Sequence, residues 1–63
     1  MRRFMLVHSI KEEGGAAESI YVNVNRLSAI EQDENGGAIL HFGQGDRLYI
    51  AETARFIAQM ANE

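Results

Sequence analysis

The chain has no cysteine, no proline and no tryptophan. Without cysteine it can build neither disulfides nor a cysteine-based zinc cluster, two supports on which very small domains often rely. With no proline, no internal repeat and no low-complexity tract, nothing reads as a linker between two units. No window approaches the roughly 18 consecutive apolar residues of a membrane-crossing helix. Residues 1–7, two arginines followed by an apolar run, are too short for a secretory signal. The expectation is a cytoplasmic protein with no membrane partner. Basic charge is also sparse: six Lys and Arg stand against nine Asp and Glu, a net charge of −3. Arg2, Arg3, Lys11, Arg26, Arg47 and Arg55 are scattered along the chain, which is not the electrostatic footprint of a general nucleic-acid binder. The one local pair, Arg2-Arg3, reads as solvation of the start of the first strand.

What is present is ordinary for a folded protein, with 46% hydrophobic and 24% charged residues, and it argues against disorder. Sixty-three residues make one domain, spanning 1–63. A chain this short buries only about 60% of the surface its unfolded form exposes. Unusually good packing or self-association is therefore expected to supply the rest of its stability.

Residues 3–10 alternate, with Phe4, Leu6, His8 and Ile10 on one side and Met5, Val7 and Ser9 on the other, as a strand does. Because the first half is apolar on both sides, this strand is expected to be central or covered on each face. Residues 11–18 carry charges and a double glycine, the chemistry of a hairpin loop. Residues 19–25 form a second strand, expected to bury Ile20, Val22 and Val24 and to project Tyr21, Asn23 and Asn25. Asn25-Arg26 reads as a kink, since Leu27 and Ile30 resume the apolar pattern out of phase with Val24. A third strand follows at 27–32. Asn35-Gly36-Gly37 is a strong turn signal. Strand four is 38–42, Gly43-Gln44-Gly45-Asp46 is another tight turn, and strand five is 47–51 with Leu48 and Ile50 inward.

A helix is predicted over 53–61. Thr53 is its N-cap, Glu52 lies beside the positive end of its dipole, and Phe56, Ile57, Met60 and Ala61 form its apolar stripe. Arg55, Gln59 and Asn62 should be wet. The fold class is α+β: a small antiparallel sheet or partly open barrel of about five strands, closed by one C-terminal helix.

Catalysis by a nucleophile needs a base beside it, and the only histidines are His8 and His41, both inside strands. They read as strand histidines satisfied by local partners. The sharper alternative is that both meet across the sheet and hold a metal with Glu31, but their spacing lacks the signature of a metal motif. Glu12-Glu13 and Asp33-Glu34 fall in exposed loops, where nothing apolar would raise a carboxyl pKa for acid catalysis. The glycine pairs lack the following lysine or helix start of a phosphate cradle and read as turns. The expectation is no catalytic residue, no metal and no cofactor. Tyr21, Asn23 and Asn25 form an aromatic and amide face able to stack on or hydrogen-bond a partner. With Arg26 and Arg47 they are the candidate binding residues.

The run Ile20-Tyr21-Val22-Asn23-Val24-Asn25-Arg26-Leu27-Ser28-Ala29-Ile30-Glu31, then Gly37, Ile39, Leu40, Phe42 and Gly45, and finally Tyr49-Ile50-Ala51-Glu52-Thr53, resembles the small FlbD-type proteins. These occur among bacterial flagellar genes and in other bacterial and phage genes. Leu27 and Ile30 stand at the two apolar positions of that pattern, and Glu52-Thr53 matches its acidic residue and helix cap. The strand-kink-strand pattern is also similar, less closely, to the β-rich LytTR DNA-binding domain. The resemblance covers about residues 19–60 and implies a small regulatory or interaction role without catalysis. The leading expectation is a non-catalytic homo-oligomer that binds a protein partner. The alternatives are a LytTR-like nucleic-acid-binding regulator, a phage-type inhibitor, and a small-molecule-binding protein with a pocket between subunits.

Overall fold

A computed structural model of the chain describes residues 3–10 and 17–62. Its strands are β1 Phe4–Ser9, β2 Glu18–Asn23, β3 Leu27–Gln32, β4 Ala38–Phe42 and β5 Arg47–Ile50, and one helix, α1 Ala54–Ala61, follows them. The five strands form one sheet in the order β2-β1-β5-β4-β3, and every neighbouring pair is antiparallel. The fold is α+β, an unclosed antiparallel sheet with a single C-terminal helix, as the sequence implies.

The strands at the two edges, β2 and β3, are consecutive in the chain and joined only by the 3-10 turn Val24–Arg26. Three residues reach no more than about 11 Å. The sheet must therefore curl until its edges come within one turn of each other. Asn23 starts this turn by accepting the Asn25 amide on its side chain at 3.0 Å. The helix lies on the concave side. It packs against β3, and its Met60 carbonyl accepts a hydrogen bond from Arg3 Nη2 at 2.9 Å, reaching back to the start of β1.

The core is the set of inward residues Met5, Val7, Val22, Ala38, Leu40 and Ile50, with Ile57 from the helix. One irregularity explains an oddity of the sequence. Leu27 and Ile30 both pack against this core although three residues separate them, a spacing that puts side chains on opposite faces of a regular strand. A register shift between Leu27 and Ala29 inserts Ser28 as an extra residue, and such a bulge restores the inward face. Gly37 is held by a close approach rather than by a turn angle, because a Cβ there would run into the Ile50 carbonyl oxygen. Thr53 caps α1 by accepting the Phe56 amide at 3.1 Å. Gln32 ties the helix start to the β3–β4 hairpin: its side chain donates to the Gly37 carbonyl at 2.8 Å and accepts the Ala54 amide at 3.2 Å.

Several expectations are corrected. The second strand stops at Asn23, so Val24 and Asn25 belong to the 3-10 turn; the Asn23 side chain captures the backbone there and breaks the ladder. Ile20 is 39% exposed, since β2 is an edge strand with a neighbour on one side only. β1 is interior to the sheet, yet Phe4 and Leu6 are bare, at 61% and 43% exposure, because α1 covers the other face. Phe56 is 45% exposed; the buried stripe of α1 centres on Ile57 instead, with Ala54 and Met60 beside it. The loop expected at 11–18 lies outside the described residues as far as 16, and Glu18 already begins β2.

Candidate functional site

The register of β1 and β2 pairs Phe4 with Asn23, Leu6 with Tyr21 and His8 with Ser19. Residues opposite each other in an antiparallel pair share a face. The outer face of this hairpin therefore carries Phe4, Leu6 and Tyr21 side by side, flanked by Asn23, His8 and Ser19. Tyr21 is 68% exposed.

The backbone of β2 adds a second feature. Val24 donates its N–H to the Arg3 carbonyl at 2.9 Å, so the even-numbered residues of β2 make the ladder to β1. The alternation of an antiparallel ladder then turns the N–H and C=O of Ser19 and Tyr21 toward the free edge. β1 obeys the same alternation: His8 directs its carbonyl to the Ala51 amide at 2.8 Å and its own N–H to Glu52 Oε1 at 2.9 Å, both toward β5.

His8 and Glu52 form the tightest polar contact of this region, with Nδ1 2.6 Å from Oε2. A carboxylate only accepts, so the imidazole donates from Nδ1. Burial by itself would raise the pKa of Glu52, but the ring and backbone N–H groups of His8 and the backbone amide of Glu52 overrule it and hold the carboxyl below its ordinary value. The contact clamps the turn between β5 and α1 onto β1. Glu52 thus serves more than the helix dipole.

His41 pairs separately, its Nε2 2.9 Å from Glu31 Oε1. His8 stands beside Ala51, whereas His41 is opposite Arg47. Four residues along β5 separate these points by about 13 Å. The two histidines do not meet, and among the described residues no three His, Asp or Glu side chains are grouped to hold a metal ion.

The five candidate residues fall in three places. Tyr21 and Asn23 share the outer face of β2, and Asn25 and Arg26 lie exposed in the Val24–Arg26 turn. Arg47 is exposed at the start of β5. Leu27 pairs with Phe42 and His41 with Arg47, so Arg26 and Arg47 stand at one end of the β3–β5 meander, two strands or about 10 Å apart. Sequence reasoning missed Phe4 and Leu6 as surface residues. Their alternation alone could not reveal which face the helix would cover. Next to the Val24–Arg26 turn, an open groove of about 380 Å³ runs between β3 and the end of α1, lined by residues including Leu27, Ile30 and Ala61.

No protein-family model, curated protein or solved structure matches the chain.

Proposed function

We infer that this chain is a small non-catalytic regulatory protein of the cytoplasm, acting as a homo-oligomer and through contact with other proteins. The observation that carries the reading is the exposed patch of Phe4, Leu6 and Tyr21 beside the edge of β2, which pairs with no other strand among the described residues. Adjacent apolar side chains on a sheet face, next to free backbone donors and acceptors, are what a strand-adding or face-packing partner uses.

The resemblance to FlbD-type proteins points to the same class of role. Sedimentation velocity of the untagged protein at micromolar concentration tests the reading: a concentration-dependent oligomer is expected, and a strict monomer would overturn self-association.

The groove between β3 and α1 favours a second reading, a small-molecule-binding protein, because about 380 Å³ lies within the size range of ligand sites. Native mass spectrometry of protein taken gently from its host separates the two. An additional small mass retained on the protein supports the ligand reading, and a bare oligomer supports the first.

A further inference from the structure

We propose that the self-association surface is the free edge of β2, which pairs antiparallel with β2 of a second copy about a two-fold axis at Tyr21. This rests on the oligomeric reading above and specifies its interface. The result is one continuous ten-stranded sheet.

Three observations select this edge and this register. The outward groups are the N–H and C=O of Ser19 and Tyr21 and the N–H of Asn23, as the β1–β2 ladder requires. An isologous antiparallel pair must match outward groups with outward groups, so allowed registers differ by two residues. Centring the axis on Tyr21 sets Tyr21 against the partner's Tyr21, Ser19 against the partner's Asn23, and Ile20 against the partner's Val22. That places Ile20, 39% exposed in the single chain, on the inner face against an apolar neighbour. It also joins the two Phe4, Leu6 and Tyr21 patches into one surface. Moving the axis toward Ser19 would set Glu18 against the partner's Val22. Moving it toward Asn23 would set Ile20 against Val24, which has already left the strand.

Charge agrees with this choice. The chain carries a net charge of −3, so two copies approach best where carboxylates are few. Apart from Glu52, which is bonded to His8, the described residues of the Phe4, Leu6 and Tyr21 face carry no carboxylate, and the register leaves the two Glu18 side chains six residues, or about 20 Å, apart. That is well beyond the screening length of about 8 Å at physiological salt. At the other edge, β3 carries Glu31 and is followed by Asp33 and Glu34.

The absence of native cysteine allows single-cysteine cross-linking to read the register. In a glutathione redox buffer, Tyr21→Cys is expected to form a disulfide-linked dimer, because directly paired positions lie about 5.5 Å apart between Cα atoms. Ser19→Cys and Asn23→Cys should each stay free of cross-link alone and cross-link when mixed. Tyr21→Pro removes an outward N–H together with the exposed ring but no ladder hydrogen bond to β1, and should leave a folded chain, by circular dichroism, that no longer self-associates. If the wild-type protein self-associates but none of these cysteines cross-links, the interface lies elsewhere; the proposal falls and the oligomeric reading stands. A wild-type protein that stays monomeric at micromolar concentration overturns both.

Discussion

The β1–β2 hairpin and the β3–β5 meander contain similar apolar side chains but use them differently. In the meander, Ala38, Leu40 and Ile50 are fully buried, and even the outward Ile39 is nearly so, paired with Tyr49. That outer face also carries charged and polar groups, with Glu31 bonded to His41 and Arg47 opposite His41. In the hairpin, Met5, Val7 and Val22 fill the core, while Phe4, Leu6 and Tyr21 stay in water. One apolar face is enough to hold β1 and β2 onto the core. The second apolar face of this hairpin is left largely uncovered by the rest of the described chain.

The sharpest way to break this comparison is to truncate one leucine from each region. Leu40→Ala should cost about 2–5 kcal/mol, since the side chain is wholly enclosed. Leu6→Ala should cost no more than about 1 kcal/mol in the monomer. Urea unfolding at the lowest usable concentration compares them, and equal losses would show that the outer face is covered in the monomer too. Next in size is Gly37→Ala, expected to cost about 1–3 kcal/mol as β5 is pushed away from the hairpin. Gly43→Ala, where a Cβ meets open space, should be neutral or stabilising by up to about 1 kcal/mol. Thr53→Ala removes the α1 cap and should cost about 1 kcal/mol, read as the same unfolding midpoint shift.

A smaller effect is the pH dependence tied to Glu52. Its folded pKa is held down, so the folded state takes up this proton less readily than the unfolded state. The resulting stabilisation is fully present above the ordinary carboxyl value and is lost as pH falls through the lowered one. Unfolding midpoints followed from neutral pH into the acid range should show a shallower decline for Glu52→Gln than for wild type. The smallest expected change is in Phe4→Ser, which should alter monomer stability by about 0.5 kcal/mol or less, read from the same urea midpoint.

Much of the meander was legible because its signals are local. Asn35-Gly36-Gly37 marks a turn, and Gly36 indeed takes φ 97°. Leu48 and Ile50 alternate with polar neighbours, and Thr53 precedes a helical stripe. The out-of-phase spacing of Leu27 and Ile30 also hinted at the irregularity that proved to be a bulge. Of the candidate binding residues, Tyr21 and Asn23 could be placed on one face from alternation alone. Their neighbours Phe4 and Leu6 could not, because that juxtaposition depends on the register between β1 and β2, which alternation alone does not set. The pairing of His8 with Glu52 was equally hidden: 44 residues separate them, and no periodicity relates them.

Periodicity, turn chemistry and capping act over a few residues, and so the amino-acid sequence by itself determined the α+β class, the alternating faces and the start of the helix. Which strands became edges, which apolar face the single helix covered and which carboxylate met His8 were decided only by tertiary structure. Those outcomes depend on contacts between distant segments and on a supply of covering surface too small for both faces of the sheet.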